Sequence, residues 1–81
     1  MWGYWGVHAM RRFHLVRTED PSGVSGTGVV AEGVEWENGE VELCWRSKYH
    51  ITEHAPNIHT IVAVHGHGGR THVEWIDKED E

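Results

Sequence analysis

The chain has 81 residues, a formal charge of −6 and one cysteine. That length allows a single domain near the lower limit for a self-sufficient core, and the negative charge disfavours nucleic acid as a partner, because non-specific binding neutralises phosphates with Lys and Arg. Cys44 alone excludes an intrachain disulfide and a cysteine zinc site.

No run reaches the roughly 18 apolar residues of a membrane helix. Residues 1–10, M-W-G-Y-W-G-V-H-A-M, lack the basic start and continuous apolar run of a secretory signal. The expectation is a soluble cytoplasmic protein with no membrane partner.

In chain order, residues 1–9 form an aromatic N-terminal extension, with Trp2, Tyr4 and Trp5 among glycines. Residues 10–77 read as a single small β domain, and residues 78–81 as a charged tail. Residues 12–17 alternate, Phe13 and Leu15 against His14 and Val16, which predicts a strand. Residues 18–28 hold Pro21, three glycines and several hydroxyls without apolar periodicity, so a long loop is expected. Strand character resumes over residues 29–36, where Gly33 predicts a bulge or kink. Asn38-Gly39 predicts a hairpin turn. Over residues 41–46 the alternation places Val41, Leu43 and Trp45 inward, and Glu42, Cys44 and Arg46 outward.

Residues 47–57 read as a second long connection, with room for one helical turn where His50 and His54 are spaced i, i+4. Residues 58–64, I-H-T-I-V-A-V, read as a strand, and residues 70–76 alternate again after the turn H-G-H-G-G. No segment predicts a long helix. The pattern predicts an all-β fold, a small antiparallel barrel or sandwich of about five to six short strands. Val41, Leu43, Trp45, Val64, Val73 and Trp75 are the expected core. Such a core is thin against backbone ordering costs of about 1–2 kcal/mol per residue, so a homo-oligomer is expected.

Eight of the ten glycines lie in two segments, residues 22–39 and 65–69. These segments, with the strands that follow them, resemble a group of short proteins from bacteriophages and their bacterial hosts. The likeness rests on S-G-V-S-G-T-G-V-V-A-E-G-V from Ser22, on Asn38-Gly39, on Leu43 to Trp45, and on H-G-H-G-G-R-T-H-V-E-W from His65. It implies a phage-encoded protein of the host cytoplasm but no established activity. The analogy with other small phage proteins suggests a sponge that sequesters a nucleotide immune signal. The aromatic extension and the His-rich residues 48–59 depart from the group's pattern.

Residue chemistry points to two loops. In Ser25, Gly26, Thr27 and Gly28, backbone N–H groups and hydroxyls can converge on an anion, although no Gly-Lys-Ser/Thr is present. His65, His67 and Arg70 offer donors for a phosphate or a base edge. On a strand, His65 and His67 would share a face and chelate a metal with His72; a turn with solvent-facing histidines competes with that reading. His50, His54 and His59 read as solvated. Trp36, Trp45 and Trp75 read as core, or as stacking surfaces if one faces a cavity. No nucleophile, base and acid set is assignable, so no catalytic residue, cofactor or metal is expected. The expectation is non-catalytic binding of a phosphate-bearing small molecule, a nucleotide, at Ser25, Gly26, Thr27, Gly28, His65, His67 and Arg70, in pockets between subunits. The alternative is a protein–protein interaction module that binds a host protein.

Overall fold

A computed structural model describes residues 9–20 and 26–77. Among these residues five strands form one antiparallel sheet: β1 (Arg11–Arg17), β2 (Gly28–Glu35), β3 (Val41–Trp45), β4 (Thr52–Ala55) and β5 (Thr71–Trp75). Their order is β4-β3-β2-β1-β5, and α1 (Ile58–His65) lies between β4 and β5 in sequence. The small antiparallel all-β fold expected from the alternation is therefore present, as a single sheet with one short helix.

Strand alternation sorts the residues onto two faces. Phe13, Leu15, Ala31, Val41, Leu43, Ala55 and Ile61 form the buried core beneath α1, with Ile58, Val73 and Trp45 packed against it. On the opposite face His14, Glu32, Cys44 and Thr52 stand side by side across four strands. The β2–β3 hairpin closes at Asn38-Gly39, as expected. The N–H of Gly39 donates to the Trp36 carbonyl at 2.9 Å, the Asn38 side chain accepts from the N–H of Glu40 at 2.9 Å, and Gly39 takes φ +91°. That left-handed residue is why glycine stands there.

Two elements differ from the sequence reading. Residues 58–64 are helical rather than extended. A strand needs a neighbouring backbone, and this segment instead carries the chain from one edge of the sheet, β4, to the other, β5. The span is roughly 19 Å, four gaps of about 4.8 Å, and it crosses a face where no strand partner exists. A helix satisfies its own N–H and C=O groups there. Asn57 starts it, its side chain accepting from the N–H of Thr60 at 2.9 Å. Ile58, Ile61 and His65 then share one face, and Ile61 is buried while Val62 and Val64 are exposed. Val64 is thus not a core residue. The second difference is β4, which forms within the presumed loop because β3 offers an open edge to pair with.

Two further expectations are corrected. The β-bulge lies at Val30 rather than Gly33, since Leu15 pairs Ala31 while Val16 pairs Val29. Trp75 is 36% exposed, with its ring centroid 5.4 Å from that of Phe13 in a T-shaped contact and the Arg11 guanidinium 3.7 Å from its centroid. No helix of the described residues is long and apolar enough to cross a membrane.

Candidate functional site

One end of the sheet gathers the loops. Arg17, the last residue of β1, pairs with Gly28 on one side and Thr71 on the other. The backbone N–H and the hydroxyl of Thr18 donate to the Arg70 carbonyl at 2.7 and 3.1 Å. Gly26, Thr27, Gly28 and Arg70, drawn from two distant loops, therefore flank the same stretch of chain. Ser25 lies outside the described residues.

The loop does hold an anion, and it is the protein's own. The N–H of Gly26 donates to the Asp20 carboxylate at 2.6 Å. Gly26 and Gly28 have φ of +83° and +95°, so their backbones need glycine whatever they bind. Thr27 is exposed. Arg70 faces Glu19 at 3.6 Å.

The histidines are not arranged as a strand pair. His65 ends α1, and His67 begins a short 3₁₀ turn (His67–Gly69) with φ +50°. His65 turns inward, its Nε2 2.7 Å from Oε2 of Glu53. His67 is exposed, and His72 contacts Glu74 at 3.0 Å. Among the described residues no group of three His, Cys, Asp or Glu side chains is placed to hold a metal ion.

Sequence reasoning missed the concavity beside these loops. It measures about 420 Å³ and is lined by Arg17, Trp45, Arg46, Ser47 and Ile51. Arg17 donates to the Thr71 hydroxyl at a long 3.5 Å and, among the described residues, has no carboxylate partner. Arg46 meets Glu32 at 3.5 Å, with both side chains about half exposed. At the opposite end of the sheet the arginines are neutralised. Two nitrogens of Arg11 donate to Glu35 at 3.0 and 3.1 Å, and Arg12 forks onto Asp77 at 2.8 and 2.9 Å. The Arg12 side chain, followed by its backbone N–H, holds the Asp77 carboxyl down to about 2.

A hydrogen-bonded set backs this concavity. Glu53 accepts from the indole N–H of Trp45 at 3.1 Å with one oxygen and faces His65 with the other. The hydrogen bond from His65, and then that from Trp45, keep the Glu53 carboxyl below the usual carboxylate range against the opposing effect of burial. The second concavity, about 530 Å³ on the uncovered sheet face, carries Glu32 and Glu42. Its Arg12 is tied to Asp77. Charge therefore favours the first for an anion.

The family model described as Acb5 phage protein matches residues 10–77. The chain belongs to this family. No curated protein and no solved structure is detectably similar to the chain. As an Acb5-family phage protein it meets the expectation drawn from the glycine segments at the level of family. The geometry of the loop end is what its own residues add.

Proposed function

We propose that this Acb5-family protein binds a phosphate-bearing small molecule, a nucleotide, at the loop end of its sheet, without catalysis. The observation that carries the reading is that Arg17, at the end of β1, and Arg46, just after β3, line one concavity with Trp45 and Ser47. A guanidinium fork matches a phosphate's oxygens, and charge-assisted hydrogen bonds are about twice as strong as neutral ones. Thr27 and Arg70 stand beside the same strand ends. Phosphate entering near Gly26 would compete with Asp20.

Sequestration follows as the biological role. A phage protein that holds a nucleotide signal without altering it lowers the free signal in the host cytoplasm, an anti-defence activity in keeping with the family. Self-association is part of the same proposal. Among the described residues the buried core is seven hydrophobic side chains, while Tyr49, Ile51, Val62 and Val64 are exposed, so a second copy would cover apolar surface and deepen the site. Light scattering should give a mass above the 9.3 kDa protomer.

A nucleotide panel in a thermal-shift assay tests the proposal, since a ligand that binds only the folded state raises Tm by mass action. No shift with any nucleotide, together with a specific protein partner in a pull-down, would favour the interaction-module reading instead.

A further inference from the structure

Trp45 is held from three elements. Its backbone N–H donates to the Ile51 carbonyl at 2.9 Å. Its indole N–H donates to Oε1 of Glu53 at 3.1 Å. His65, at the end of α1, meets the indole edge-on, with centroids 4.9 Å apart at 71°. Glu53 is itself fixed, because its second oxygen is 2.7 Å from His65 Nε2. An ionised carboxylate only accepts, so the imidazole N–H donates to it. The three side chains close a ring of contacts joining β3, β4 and α1.

The indole has one hydrogen-bond donor, and that donor is directed at Glu53, so it is not offered to a ligand. Trp45 lines the concavity beside Arg17 and Arg46, and with its donor committed it offers only the carbon surface of its ring there. We infer that Trp45 is a pre-oriented stacking platform for the base of the bound nucleotide, with Glu53 and His65 as the positioning residues that hold it. This rests on the nucleotide reading above and narrows it. A π face accepts any base, since stacking depends on ring area rather than on hydrogen-bond pattern. The ligand class is therefore an aromatic base carrying phosphate, with purines favoured modestly over pyrimidines and selection falling on the phosphates. Pre-orientation matters because each side chain immobilised on binding costs about 0.5–1.5 kcal/mol, and an indole already fixed avoids that cost.

The test is calorimetric titration of the full chain with AMP, GMP, CMP, UMP and the base-free control ribose 5-phosphate, alongside the NMR signal of the Trp45 indole N–H. Trp45→Leu should weaken the nucleotides on the order of 10- to 100-fold while leaving ribose 5-phosphate within about threefold. Trp45→Phe keeps a ring but loses the hydrogen bond to Glu53; it should weaken the nucleotides about as Glu53→Ala does, roughly tenfold, while leaving ribose 5-phosphate within about threefold, and it serves if the Leu variant does not fold. Glu53→Ala should weaken nucleotides by about tenfold and shift the Trp45 indole signal towards its solvent-exposed position, whereas Glu53→Gln, which keeps an oxygen acceptor, should restore both.

Equal loss of nucleotide and ribose 5-phosphate in Trp45→Leu, or unchanged nucleotide binding in Glu53→Ala, would overturn the platform and leave phosphate binding standing. Wild-type protein that binds none of the five compounds would overturn the nucleotide reading and the platform with it.

Discussion

The ring of Phe13 lies against the backbone of Gly33, so that a Cβ at position 33 would stand 2.5 Å from Phe13 Cζ and 2.7 Å from the Glu42 carbonyl oxygen. Phe13 is fully buried and Gly33 sits opposite it in the β1–β2 ladder. The glycine that reads as a kink is instead a seat for an aromatic ring. Gly33→Ala should destabilise the fold by about 1–3 kcal/mol, as overpacking of a close-packed core does. Chemical denaturation of this variant beside wild type measures it, and a change under about 0.5 kcal/mol would contradict the close approach.

Asn57 caps the crossover helix through its side chain and the N–H of Thr60. Asn57→Ala should cost about 1 kcal/mol, and Asn57→Asp, which keeps the acceptor, only a few tenths. If both variants unfold at the same denaturant midpoint as wild type, the cap contributes nothing.

Asp77 titrates at about 2 in the folded chain against an ordinary 3.8, chiefly because Arg12 donates to it. A depressed carboxylate pKa means stability that is present above about pH 4 and lost as pH falls towards 2. Glu53 is lowered too, chiefly by His65, and its contribution fades in the same direction below its ordinary value. NMR titration of the Asp77 carboxyl should give a midpoint near 2, rising towards 3.8 when Arg12→Ala removes the fork. A wild-type midpoint near 3.8 would show that the pair does not persist in solution.

Arg46→Ala removes only an exposed ion pair with Glu32, so stability should change by less than about 1 kcal/mol. Binding of a phosphate-bearing ligand should nevertheless weaken on the order of 10- to 100-fold, the scale of one charge-assisted hydrogen bond. Arg12→Ala, at the far end of the sheet, should leave that affinity within about twofold. Calorimetry with a single nucleotide compares the two variants directly.

Four strands were legible because Phe13 and Leu15, Val41 and Leu43, and their neighbours alternate with polar residues that face away from the core. The helix was not. Ile58, Thr60, Ile61, Val62 and Val64 are β-branched and favour extended backbone locally. What makes them helical is the crossing between the β4 and β5 edges, a tertiary fact, and the local hint was the capping Asn57 after Pro56. Thr52-Glu53-His54-Ala55 has little strand signal of its own and is extended because β3 has a free edge.

The site was legible in part. Gly28 and Arg70 flank the end of β1 from its two sides, but the partner of the Gly26 N–H is Asp20. His65 is hydrogen-bonded to Glu53, which also accepts from the Trp45 indole. Arg17 and Arg46 carried no motif, since only strand pairing brings them to one concavity.

The central claim, that a nucleotide binds at this end of the sheet, is tested most directly by following backbone amide shifts as one nucleotide is titrated into the isotopically labelled protein. Saturable shifts should concentrate at Arg17, Trp45, Arg46 and Ser47 and be lost in Arg17→Ala/Arg46→Ala. Shifts absent from those residues at saturating nucleotide, or confined to the opposite end around Arg12 and Asp77, would contradict it.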